Sequence, residues 1–210
     1  MDLTVKDMID NYAALTLGAY MKINAVLERD GDELDKQVEI IAILADMTTD
    51  EVLLLPLSDY AKMAAQSAFL REPCKPTQIS EAWRFGDLAP VMDFRKINTA
   101  QYVDFQAFSK NFPASLPQLL SVFLVPEGKA YNDGYDVLEV QERVKQIPFP
   151  DALGLAAFFF GRFVKLTEDS LTSWATKVSR TKDPERAKEI RAKIAEVQTI
   201  LQRAGVGLPM

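Results

Sequence analysis

Histidine is absent from this chain of 210 residues, and cysteine occurs once. Without histidine there can be no Ser-His-Asp or Cys-His catalysis, no histidine-ligated zinc or iron, and no haem held by histidine. A single cysteine, Cys74, excludes a Cys₄ zinc site, an iron–sulfur cluster and an internal disulfide, and it suits a reducing compartment. Cys74 lies between Pro73 and Lys75. With no imidazole to act as its base, it reads as an inert thiol. No P-loop and no Gly-x-Gly-x-x-Gly is present.

A long apolar run is also missing. The richest stretch, Ala152 to Val164, is interrupted by Arg162. It is shorter than the ~20 residues that a membrane span requires. The first residues place acids early and no basic region before an apolar core, so they do not read as a signal peptide. Nor is there a basic excess. The 24 Lys and Arg against 30 Asp and Glu leave a net charge of −6, which argues against nucleic acid as a partner. Asp30-x-Asp32 opens like a calcium loop. The pattern then fails, with Leu34 at the next ligand position, Asp35 at the glycine position and Ile41 at the twelfth. Asp133 to Asp136 reads as a turn. No pair of carboxylates stands out for hydrolysis, and a hydrolase or nuclease with an acidic metal site would need a visible cluster. The expectation is a non-enzymatic protein with no cofactor and no metal.

What is present is helical periodicity. Composition and length fit one helical domain, residues 1–180, with a C-terminal helix over 181–210. Leu34, Val38, Ile41 and Leu44 fall on one helical face. Thr48 to Glu51 matches a capping box ahead of a short helix that Pro56 stops. Ser58 is a candidate cap for the next helix, with Tyr60, Met63, Ala64 and Phe69 on its apolar side. Residues 80–97 alternate around Gly86-Asp87 and predict a small inserted β-hairpin, with Pro90 barring a long central strand. Asn98 and Gln101 signal another helix start. Pro113 and Pro117 frame the beginning of a helix over 118–124. Residues 126–136 read as a loop, and Val137, Val140 and Val144 as a short amphipathic helix. A phenylalanine-rich helix follows Pro150, and Thr167 is read as starting a further one. After Asp183-Pro-Glu185, Ala187, Ile190, Ile194, Val197 and Leu201 are spaced 3, 4, 3 and 4, a seam of about two heptads. Seven basic and four acidic residues between Arg180 and Arg203 make this end locally basic. The fold class expected is mainly α, a compact multi-helix domain with a small hairpin and a C-terminal amphipathic helix.

Three features are candidates for binding other proteins. Phe158, Phe159, Phe160 and Phe163 make a helix apolar on nearly every side, so it is either a core helix or a surface that accepts another chain. Tyr131 and Tyr135 sit on the 125–135 loop, which is either a plain connector or an interface. The seam Ile190, Ile194, Val197 and Leu201 either packs on its own domain, pairs with a second copy as a homo-oligomer, or meets a partner helix.

Several stretches, in order, carry a resemblance. They are residues 15–23, Leu-Thr-Leu-Gly-Ala-Tyr-Met-Lys-Ile, then 34–44, Leu-Asp-Lys-Gln-Val-Glu-Ile-Ile-Ala-Ile-Leu, and 50–57, Asp-Glu-Val-Leu-Leu-Leu-Pro-Leu. Residues 97–106 and 120–135 continue it. Together they resemble tail assembly chaperones of gut tailed bacteriophages and prophages, over most of the chain up to about residue 165. The resemblance implies a protein of the host cytoplasm. It would coat the helical, hydrophobic tape measure protein, keep it soluble, and leave as tail tube protein polymerises around it. The alternative reading is a structural adaptor of the phage particle, at the portal or the tail.

Overall fold

The computed structural model describes residues 8–180 and, beyond them, Pro184, Glu185 and Lys188, which are helical. Ile190, Ile194, Val197 and Leu201 lie outside the described residues, and with them the test of the heptad seam. The protein is mainly α. In chain order its elements are α1 (Leu17–Glu28), α2 (Glu33–Ala45), α3 (Thr49–Leu53), α4 (Leu57–Gln66), a 3-10 turn (Ser67–Arg71), β1 (Leu88–Pro90), a second 3-10 turn (Phe94–Lys96), α5 (Thr99–Ser109), α6 (Leu116–Phe123), β2 (Leu124–Pro126), α7 (Val137–Val144) and α8 (Phe149–Arg180). Within the span read as one helical domain, the chain gathers into two compact units. The first is Met1–Ser80 with Asp136–Gly154, and the second is Glu81–Tyr135 with Leu155–Met210.

In the first unit local chemistry sets the helix starts. Asp32 accepts a hydrogen bond from the Leu34 N–H at 2.8 Å, and α2 ends where Asp46 turns left-handed at φ 52°. Thr48 and Glu51 form the predicted capping box. The Glu51 N–H donates to Thr48 Oγ1 at 3.2 Å, and the Thr48 N–H donates to Glu51 Oε2 at 2.7 Å. Ser58 does not cap α4. The cap is Pro56, and Ser58 is already the second helical residue. Proline's fixed φ presets the helical entry, and its carbonyl accepts from the N–H groups of Asp59 and Tyr60 at 2.9 and 3.0 Å. Val38, Ile41 and Leu44 are buried as their spacing requires, whereas Leu34 stays 59% exposed.

The returning segment closes this unit. The Leu17 N–H donates to Ile147 O at 2.8 Å, Gly18 to Lys145 O at 2.8 Å, and Phe149 to Leu15 O at 2.7 Å. The Phe149 ring stacks on Tyr20 with centroids 3.6 Å apart. Gly154 completes the closure. A Cβ there would stand 2.0 Å from the Thr77 carbonyl oxygen, so only glycine lets the first turns of α8 approach that backbone.

In the second unit the buried helix is α6, with seven of its eight residues inside. Asn98 and Gln101 form the second capping box at the start of α5. Gln101 also donates from Nε2 to Val122 O at 3.0 Å, which satisfies a buried amide. An antiparallel two-stranded sheet is present, and its geometry refines the expected hairpin. Phe85 and Leu88 close a tight turn on Gly86, whose φ is +62°. The strand leaving that turn pairs with β2, after α6, in the register Leu88↔Pro126, Ala89↔Val125 and Pro90↔Leu124. Two prolines without N–H groups keep the ladder short.

Thr167 does not start a helix, because α8 runs unbroken from Phe149 to Arg180. No proline follows Pro150 until position 184, so nothing removes a ladder hydrogen bond or forces the chain out of the helix at Thr167.

Candidate protein-binding surface

Of the residues that the sequence offered for partner binding, Phe159, Phe163 and Tyr131 are buried in the second unit. Phe159 is 0% exposed and Phe163 is 4% exposed. Phe159 meets Phe123 at 5.1 Å and Phe163 meets Phe105 at 4.4 Å between ring centroids. These two rings form the inside of their unit and offer no face to another chain, which corrects the surface reading for them. Phe158 and Phe160 are half-buried. Arg162 covers the Phe158 ring at 5.2 Å and pairs with Glu81 at 3.7 Å. Phe160 lies edge-on to Phe112 at 5.6 Å. Tyr131 is buried, and its hydroxyl donates to Asp104 Oδ2 at 2.8 Å, so the 125–135 loop is pinned to α5. Burial and that carboxylate together hold the Tyr131 phenol well above its ordinary pKa. Tyr135 is half-buried in the same loop. Cys74 is half-buried, and burial pushes its thiol up, away from the reactive thiolate.

The first unit carries a cluster of exposed leucines. Over α3 and the start of α4 the sequence runs Val52-Leu-Leu-Leu-Pro-Leu57. A short helix and a turn can face only part of that run inward. Val52 and Leu55 are buried, at 1% and 9% exposure. Leu53, Leu54 and Leu57 are 68%, 76% and 82% exposed. Exposed leucines are ordinary singly, but three within five residues are not. Nearby, the Tyr60 hydroxyl donates to Gln37 Oε1 at 3.2 Å and ties the first turn of α4 to α2. The charge around the leucines is one-sided. From Gln37 to Ala61 there is no lysine or arginine, while Glu39, Asp46, Asp50, Glu51 and Asp59 are all acidic.

Beside this corner, α1, α2 and α7 enclose an open cleft of about 1010 Å³. Ile9, Ala19, Met21, Ala42, Ile43 and Met47 supply its apolar lining, and Lys22, Glu39, Asp46, Glu142 and Lys145 supply its charge. Gly18 forms part of one wall, where a Cβ would stand 3.1 Å from the Lys145 carbonyl oxygen. Methionines give such a lining adaptable shape. The charges are partly matched within the protein, with Lys145 on Glu142 and Arg29 on Glu39, each at 2.6 Å.

Among the described residues no three Cys, Asp or Glu side chains converge as metal ligands would, and no helix is long and apolar enough to cross a membrane. No family model, curated protein or solved structure matches the chain.

The leucine corner carried a signal that periodicity alone does not expose. Six consecutive apolar residues, one of them the proline that ends α3, exceed what one short turn can bury.

Proposed function

We propose that this protein is a non-enzymatic binding factor that acts as a tail assembly chaperone, keeping the tape measure protein of a tailed phage soluble in the host cytoplasm. The observation that carries the reading is the leucine corner of the first unit, three large apolar side chains left in water beside the capping box of α3. A folded protein keeps such a group exposed at a cost in solubility, and the usual return is a partner that covers it. The acidic balance of the chain supports the reading, because a carrier of an apolar client must itself stay soluble. So does the resemblance of residues 15–23, 34–44, 50–57, 97–106 and 120–135 to that family.

Co-expression with the tape measure protein of the same phage tests it. The tape measure protein is expected to be soluble, and to co-purify, only when this chain is present. If its solubility is indifferent to this chain, the chaperone reading fails. Recovery of the chain from purified virions would then favour a structural adaptor.

A further inference from the structure

The leucine corner also specifies the chemistry of what binds it, an inference that rests on the binding role proposed above. Its apolar centre is Leu53, Leu54 and Leu57. Its charged neighbours along the chain, Glu39, Asp46, Asp50, Glu51 and Asp59, are carboxylates without exception over 25 consecutive residues. The nearest basic residues along the chain are Lys36 and Lys62, which pair with Glu33 at 3.3 Å and Asp59 at 2.9 Å, and Arg29 pairs with Glu39 at 2.6 Å, so the segment keeps a net negative charge after these pairs are counted. The imbalance extends to the whole first unit, which carries nine basic residues against eighteen acidic ones, while the second carries fifteen against twelve.

We infer that the corner is a docking site for an amphipathic helix of a partner protein with leucine-type residues at i, i+3, i+4 and i+7 and lysine or arginine flanking that stripe. The apolar stripe covers the three leucines, which supplies the affinity. The basic flanks face the net negative charge of this segment, which sets the orientation and the rate of encounter. A helix flanked by acids would bring like charges together across the rim and be rejected. Neutral residues in place of Leu54 and Leu57 remove the apolar centre without touching the buried Val52 and Leu55, so these variants keep the fold.

The test uses the full chain and two synthetic helical peptides of about 20 residues, long enough to form a helix. Both have the same leucine stripe, one with lysine flanks and one with glutamate flanks. Fluorescence anisotropy reads their binding. The lysine-flanked peptide is expected to bind at least about tenfold more tightly than the glutamate-flanked one, to weaken as salt is raised, and to lose about tenfold or more against the Leu54→Ser/Leu57→Ser double variant. Equal binding of the two peptides overturns the proposal, as does binding that the double variant leaves unchanged. Self-association of the chain that the double variant abolishes also overturns it, since the occupant would then be a second copy. The two readings fail separately. A tape measure protein solubilised equally by wild type and double variant sinks the docking site and leaves the chaperone role. Peptide binding at the corner with no effect on the tape measure protein does the reverse.

Discussion

Two influences keep the proton on Tyr131. Burial disfavours the phenolate, and the Asp104 carboxylate accepts the hydroxyl's hydrogen bond and would repel the ionised form. Tyr12, Tyr20 and Tyr60 are shifted in the same direction, with burial the leading cause in each. The sign follows from linkage. A folded-state pKa raised above the unfolded value near 10 gives stability that is complete below about pH 10 and lost as pH climbs through the folded value. The free energy of unfolding, measured by denaturant titration, is therefore expected to fall above about pH 10. In Tyr131→Phe it should fall less steeply, from a starting point about 1 kcal/mol lower at neutral pH for the lost hydrogen bond. An identical alkaline slope in wild type and variant would show that Tyr131 is not the group responsible. At this scale the sequence was legible in kind but not in place. The tyrosines and phenylalanines stood out as large apolar payloads, yet nothing local distinguishes Phe159, wholly enclosed, from Phe158, left half in water under Arg162. That difference is made by α5 and α6, which come from elsewhere in the chain.

The helices divide the same way. Both capping boxes, at Thr48–Glu51 and Asn98–Gln101, were readable because a cap is local chemistry over four residues. The partner of β1 was not, because β2 is separated from it by α5 and α6, and two three-residue strands carry little pattern of their own. The unbroken course of α8 is not marked in the sequence, because threonine occurs both at helix starts and inside helices. Two glycines in α8 give opposite predictions from one substitution. Glycine to alanine inside a helix ordinarily stabilises by about 0.5–1 kcal/mol. At Gly161 nothing lies within 4 Å of the new Cβ, so Gly161→Ala should show that gain. At Gly154 the Cβ would meet the Thr77 carbonyl at 2.0 Å. Thr77 cannot yield freely, since its own N–H donates to Pro150 O at 2.9 Å. Gly154→Ala should therefore lose stability, by about 1–3 kcal/mol as for other overpacked sites. Thermal melts of the two variants decide it. A rise in Tm for both would mean that the Thr77 contact is loose.

Over the whole molecule the chain path matters more than the count of helices. The first unit is discontinuous, and the segment Asp136–Gly154 returns to it after the second unit's strands and two of its helices have been laid down. What this return supplies is specific. It brings the backbone acceptors of Lys145 and Ile147, the Phe149 N–H that donates to Leu15 O, the ring that stacks on Tyr20, and the buried side chains of Val140, Val144 and Ile147. Residues 1–80 alone would leave Leu15, Leu17 and Tyr20 without these partners, and the N–H groups of Leu17 and Gly18 without acceptors. Each lost hydrogen bond costs about 0.5–1.5 kcal/mol and each side chain that loses its apolar cover about 1–3 kcal/mol, several times over, against a total stability of about 5–15 kcal/mol for a domain. A fragment of residues 1–80 is therefore expected to show reduced helicity by circular dichroism and no cooperative melt. A peptide of residues 136–160 added in trans should restore both, with saturation as it binds. A fragment that melts cooperatively without the peptide would show that α1 to α4 close a core by themselves. The leucine corner would then be a surface that this core presents without the returning segment.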